Sequence, residues 1–256
     1  MSAVDHRRRL HRIPELDNQL PETIQYVRSV LEPLGCKVFS PVTGSVCAWF
    51  DAGRGDTVAF RADMDALPVP EETGLPYASE HPGYMHACGH DGHMAMMLSL
   101  AEWTSEHVKE LPHNVLFLFQ PAEETTGGAL PMVKAGCMES PHVDYVTGLH
   151  VMPTHETGEI EIRYGDLNAS SDEIHIKVHG KSCHGAYPDT GVDAIVMAAA
   201  VINSLQTLVS RCISPLDSAV LTLGTIHGGT AGNIVAAETE MTGTLRTTDP
   251  AVRENN

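Results

Sequence analysis

Eight consecutive residues, His86-Ala87-Cys88-Gly89-His90-Asp91-Gly92-His93, set three histidines, a cysteine and an aspartate side by side. Thiolate and imidazole are the usual protein ligands of zinc and similar transition ions, so a Cys/His-rich tract of this density reads first as a metal site. Further along, Glu123-Glu124 offers two adjacent carboxylates. One can bind an ion. The other can take a proton from the water that ion holds, whose pKa falls to about 7, and return it to a leaving amine. Cys88, His90, Glu124 and His150 together supply S, N, O and N donors, a set suited to zinc or manganese rather than calcium or magnesium. Asp63 and Asp65 are expected to orient those ligands from behind. His86 and His93 are weaker candidates, each as suited to support or surface as to ligation.

The elements around these groups must bring them together. Ile24, Val27, Val30, Leu31 and Leu34 fall on one face of a helix over Pro21–Leu34, stopped by Gly35. Short strands are predicted at 37–39, 46–50 and 57–61, and buried strands at 114–119 and 143–149. Helices are predicted over 92–106 and 128–135, with Met96, Met97, Leu100 and Trp103 along the first. Strand–helix alternation implies right-handed crossovers and a mainly parallel sheet. Ligands of such sheets bind beyond the carboxyl ends of the strands. Asp63 and Asp65, Glu123 and Glu124, and His150 each follow a predicted strand, so all belong at that edge. Cys88 and His90 enter it just before a helix N-terminus, where the dipole favours a thiolate.

A composition change at Asn168-Ala169-Ser170-Ser171 divides the chain into a catalytic region, 1–167, and a smaller α+β region, 168–256. In the latter, 173–179, 219–226 and 240–246 read as strands, antiparallel by expectation, and 192–209 as a strongly apolar helix. Thr248-Asp249-Pro250 has the pattern of a helix start, and the sequence stops one turn later, which reads as a truncated domain.

The net charge of −17 argues against nucleic acid as a partner. No apolar run is read as a membrane span and no leader is read at the start, so the expectation is a cytoplasmic protein. The six cysteines lack the spacing of a disulfide framework and are expected to be free thiols. There is no Gly-x-Ser-x-Gly elbow, no Gly-x-Gly-x-x-Gly and no P-loop, which disfavours serine nucleophiles and nucleotide cofactors.

Five ordered segments carry a family resemblance: Leu10-His11-Arg12-Ile13-Pro14-Glu15-Leu16, Phe60-Arg61-Ala62-Asp63-Met64-Asp65-Ala66-Leu67-Pro68, His86 to His93, Gln120-Pro121-Ala122-Glu123-Glu124 and Gly148-Leu149-His150. The chain resembles the metal-dependent amidohydrolases of the aminoacylase/carboxypeptidase peptidase family, in particular its hippurate hydrolase, N-acyl-amino-acid hydrolase and indole-acetic acid–amino acid hydrolase branch. The resemblance implies a two-metal site, zinc or manganese, held by Cys88, His90, Glu124 and His150, with Glu123 as general base. It implies a lid domain inserted in the catalytic domain and used for homodimerisation. There His184, in Lys181-Ser182-Cys183-His184-Gly185-Ala186, would help polarise the scissile carbonyl in a neighbouring subunit. Asn233 would hydrogen-bond the substrate and Arg246 would hold its carboxylate. Family members continue past this point and add one more ligating histidine, so the second ion is expected to be incompletely held here.

The function these readings favour is hydrolysis of the amide bond of an N-acyl amino acid, hippurate-hydrolase-like, by metal-bound hydroxide with Glu123 as base. The rival readings are an inactive fragment that binds only metal or a partner, and a dipeptidase or carboxypeptidase of the same family.

Overall fold

All seven residues of Asn114–Gln120 are buried, and the N-terminal half is organised around them. The computed structural model describes residues 1–255. The chain forms two compact units, Met1–Thr157 and Gly158–Asn256, dividing ahead of the composition change at Asn168.

In chain order the first unit contains α1 (Ala3–His11), α2 (Pro21–Leu31), β1 (Lys37–Phe39), β2 (Val46–Phe50), β3 (Thr57–Asp63), α3 (His90–His107), β4 (Asn114–Gln120), α4 (Ala129–Lys134) and β5 (Tyr145–Gly148). The sheet order is β1-β2-β4-β3-β5. β3 is parallel to β4 and β5, while β2 runs antiparallel to both β1 and β4. Four of the five strands therefore point the same way, as the strand–helix alternation predicts. Successive side chains of a strand face opposite sides, and β4 is apolar on both. Val115, Phe117 and Phe119 enter one core with Leu10, Val27, Leu31, Met94 and Leu98 from the helices. Leu116 and Leu118 enter a second with Cys47, Ala59, Met132 and Cys137.

Strand β5 departs from expectation. Its apolar run suggests burial, yet Tyr145 is 65% exposed and Val146 48%. Among the described residues β5 pairs only with β3, so it is an edge of this sheet. An apolar strand is buried only where a layer lies over it, and no described residue of this unit supplies one.

The second unit holds a three-stranded antiparallel sheet of β6 (Asp172–His179), β8 (Ala219–Gly228) and β10 (Glu238–Thr247), with β10 central. A two-residue pair, β7 (Cys183–His184) with β9 (Ile234–Val235), lies beside it in sequence. Helix α5 (Ala194–Thr207) is capped by Asp193, whose carboxylate accepts from the amides of Ile195 and Val196. Helix α6 (Pro250–Asn255) starts as its sequence suggests, with Asp249 accepting from the Ala251 amide. The reading that no apolar run reaches membrane-span length fails on one helix. Ala194–Cys212 has a mean hydropathy of 1.4 over an 18-residue window and is long and apolar enough to cross a membrane by length and composition alone. The same apolarity is what a helix needs to cover a sheet face.

Candidate metal centre

The carboxyl ends of β3, β4 and β5 carry the site. Asp63 stands opposite Gln120 in the register of β3 with β4, and Arg61 stands opposite Gly148 in that of β3 with β5. The chain leaving β4 therefore delivers Glu123 and Glu124, and the chain leaving β5 delivers His150, beside the residues that end β3. The third contribution is the turn into α3. Gly89 separates Cys88 from His90 with φ +94°, and a Cβ there would collide with the Val151 side chain. Only glycine serves on both counts, and with it Cys88 and His90 face one centre.

His90 is 1% exposed. Its Nδ1 lies 2.7 Å from the Asp65 carbonyl oxygen. A carbonyl only accepts, so Nδ1 carries the proton, and in the neutral ring that binds an ion Nε2 is a bare lone pair. That Nε2 has no hydrogen-bond partner among the described residues, and neither does the buried Glu124 Oε1. The two atoms are 3.7 Å apart, with Glu123 Oε2 at 3.9 Å and Asp63 Oδ1 at 3.7 Å from the same nitrogen. Buried polar atoms are rarely left unpaired. Two acceptors facing each other without a donor fit a cation between them, since ligand bonds of about 2 Å place neighbouring donor atoms at about this separation.

On the other side of His90, Cys88 Sγ lies 3.3 Å from His150 Nε2. His150 Nδ1 donates to the Val151 carbonyl at 2.7 Å, which again leaves Nε2 bare. Cys88, His90 and His150 form one ligand-capable group, and His90, Glu123 and Glu124 another, sharing His90. The donors thus fit two neighbouring ions, with a thiolate and imidazoles on one side and carboxylates on the other. Without an ion, burial pushes the Cys88 thiol up to about 12, with the Glu124 carboxylate adding to it. Burial first and the negative groups second therefore oppose the thiolate that the helix dipole is expected to favour, and a cation is what would reverse the balance.

Asp65 is the keystone of the carboxylate side. Fully buried, it accepts from the amides of Glu123 at 2.9 Å and Glu124 at 3.0 Å through its two oxygens. Burial alone would raise its pKa, but His90 and these two amides hold it below the usual carboxylate value. Both amides point inward because Ala122 adopts φ +52°, a left-handed conformation that costs a non-glycine residue about 1 kcal/mol or more. No sequence signal marks Ala122; a strained alanine looks like any other until the backbone is known. Glu123 is left partly open, and burial, then the charges of Glu124 and Asp63, raise its pKa. A carboxylate raised in this way is a better proton acceptor near neutral pH.

His86 and His93 are not interchangeable. His93 donates from Nδ1 to Asp63 at 2.6 Å and accepts the Val151 amide on Nε2 at 3.0 Å. Both nitrogens are used, so it cannot ligate an ion although it lies among the candidate donors. His86 is buried with neither nitrogen partnered among the described residues, and burial depresses it to about 4, leaving it neutral. Behind the first turn of α3, Asp91 accepts from His11 at 2.8 Å and Arg7 at 3.0 Å, and His11 also meets Glu71 at 3.2 Å.

The remaining sequence candidates lie in the second unit. His184 on β7 pairs with Ile234, and the Gly185 amide donates to the Asn233 carbonyl at 2.8 Å, so His184 and Asn233 are neighbours. The His184 Nδ1 accepts from the Ala186 amide, leaving Nε2 to carry the proton. Arg246 lines a separate open cleft of about 440 Å³ with Glu173, His175 and Thr222.

A model of peptidase family M20/M25/M40 matches residues 59–250. The chain is 43% identical over 251 residues to an N-acetyldiaminopimelate deacetylase of Bacillus velezensis, covering 94% of this chain and 65% of that relative. It is 44% identical over 244 residues to the Bacillus subtilis protein of the same name, with coverages of 94% and 65%. A dinuclear metal-binding peptidase of the M20 family from Bacillus subtilis superposes with a TM-score of 0.81 at 34% identity, covering 99% of this chain and 66% of that one. A methicillin-resistant Staphylococcus aureus structure named for an aminohydrolase superposes at 0.92 and 38% identity, with coverages of 99% and 68%. The chain therefore spans about two thirds of the length of these relatives.

Proposed function

The chain belongs to peptidase family M20/M25/M40, and from that premise we propose that it is a metal-dependent amidohydrolase that cleaves the amide of N-acyl amino acids. The observation that carries this reading is the pair of buried, partnerless acceptors, His90 Nε2 and Glu124 Oε1, 3.7 Å apart. Cys88, His90, Glu124 and His150 would hold two divalent ions, zinc or manganese. Bound there, such ions supply Lewis acidity and lower the pKa of water to about 7. Glu123, close to His90 yet partly open, takes the proton of the attacking water and hands it to the departing amine. Asp65 keeps His90 and the Glu123-Glu124 backbone in place, and Asp63 holds His93.

His184 would donate from Nε2 to the oxyanion developing in a neighbouring subunit's site, Asn233 would hydrogen-bond the substrate, and Arg246 would hold a carboxylate. The antiparallel pairing of β7 with β9 that makes His184 and Asn233 neighbours supports the first two roles, and the solvent-open Arg246 supports the third. A homodimer through the second unit is supported by the exposed apolar face of α5, where Ile195 is 47% and Val196 64% exposed. Among N-acyl amino acids, the names of the relatives favour N-acetyldiaminopimelate over hippurate.

The test is release of free amine from N-acetyldiaminopimelate, other N-acetyl amino acids and hippurate, with Zn²⁺ or Mn²⁺ added and then chelated. Chelator-sensitive release supports the reading. A chain that takes up neither ion and releases no amine refutes it.

A further inference from the structure

His93 sits in the middle of an unbroken hydrogen-bond chain that ends on a ligand. Arg61 Nη1 forms an ion pair with Asp63 Oδ2 at 2.8 Å, at the head of this chain. His93 Nδ1 donates to Asp63 Oδ1 at 2.6 Å. The Val151 amide donates to His93 Nε2 at 3.0 Å. His150 Nδ1 donates to the Val151 carbonyl at 2.7 Å. Every member has one allowed direction. A backbone N–H only donates, so His93 Nε2 must be bare and Nδ1 must carry the proton toward an acceptor-only carboxylate. A carbonyl only accepts, so His150 must be protonated on Nδ1, and the neutral ring is free on Nε2, the atom that faces Cys88. His93 is 2% exposed, and its ring packs edge-on against His150 with centroids 4.6 Å apart. His150 itself is exposed and follows the exposed strand β5. Among the described residues, His93 is what ties the Val151 peptide to the buried end of β3.

We propose that His93 is a positioning residue: through the Val151 peptide it holds His150 in the pose and tautomer in which Nε2 binds the ion shared with Cys88. The inference rests on the metal-centre reading above. It makes His93 neither a ligand nor a surface residue, and it accounts for Arg61 and Asp63 as the anchor of the chain.

The experiment is Co²⁺ titration of the chain, following the thiolate-to-cobalt absorption that reports Cys88. His93→Phe keeps ring volume and removes both hydrogen bonds. It is expected to weaken Co²⁺ at the Cys88 site about 10–100-fold, the usual effect of losing a partner behind a metal ligand. His93→Gln can still donate at one end and accept at the other, and is expected to recover at least part of that loss. Equal affinity of His93→Phe and the unaltered chain overturns the inference alone. A loss in His93→Phe that His93→Gln does not reduce also overturns it. An unaltered chain with no Co²⁺ uptake overturns the metal-centre reading and this inference with it. Independently of either variant, ¹⁵N spectra of the unaltered chain are expected to show His93 protonated at Nδ1 and bare at Nε2; the opposite tautomer refutes the relay.

Discussion

Helices α3 and α5 are both built from apolar residues, yet they are used in opposite ways. α3 buries nine of its 18 residues, three of them the titratable side chains His90, Asp91 and His93. α5 is the more apolar of the two, and buries only Ala194 and Ala198. Apolarity alone does not set burial; what lies over the helix does. α3 is sandwiched between α1, α2 and a sheet, so its buried polar atoms meet protein groups and not water, and that is where directional chemistry accumulates. α5 covers one face of a three-stranded sheet and offers its other face, with Ile195 and Val196, to whatever approaches.

The largest expected effect is at the site that α3 supports. Glu123→Gln should lower turnover about 10²–10⁴-fold, the usual contribution of a general base, with Co²⁺ uptake retained. Turnover and metal content are measured on the same sample, and near-normal turnover would remove Glu123 from the role of base. The core beneath α3 comes next. Phe117→Ala, at a fully buried ring packed against Phe50 and Phe60, should cost about 3–5 kcal/mol in denaturant unfolding.

A smaller effect is tied to pH. The hydrogen bond to Asp91 raises the His11 pKa, against the lowering effect of burial. A raised histidine contributes stability that is fully present below its unfolded value of 6.5 and is lost as pH rises through the higher folded value. Thermal melts of the unaltered chain and His11→Asn should therefore differ most at acidic pH and converge above neutrality. A gap that widens with pH would show that His11 is not held as the imidazolium. The smallest effect belongs to α5. Val196→Ala, at a side chain 64% exposed, should shift the stability of a dilute sample by no more than about 0.5 kcal/mol. A loss as large as that of Phe117→Ala would mean that the α5 face is covered in solution, which breaks the contrast between the two helices.

Much of the centre is legible in the residues themselves. The donor types at Cys88, His90, Glu124 and His150 are local facts, as are the positions of Glu124 and His150 after predicted strands and of Cys88 and His90 at a predicted helix start, and strand ends of a parallel sheet meet at one edge whatever the loops do. The strand limits at 37–39 and 46–50 coincide with observation because short runs of β-branched and aromatic residues end at turn residues. The exposure of β5 is not legible in this way. An apolar run reports that a strand prefers burial, not whether a layer covers it.

The sequence by itself determined which atoms are available: one thiol, a set of imidazoles and carboxyls, and the glycine that lets Cys88 and His90 face one way. The tertiary structure decided how each is used. Whether a histidine is a ligand, as His90 fits, or a support, as His93 is, depends on which ring nitrogen is already occupied. That occupation comes from the Asp65 carbonyl in one case and from Asp63 and the Val151 amide in the other. Hydrogen bonds are directional and short-ranged, so the same side chain acquires its role only once the strands that carry its partners are in place.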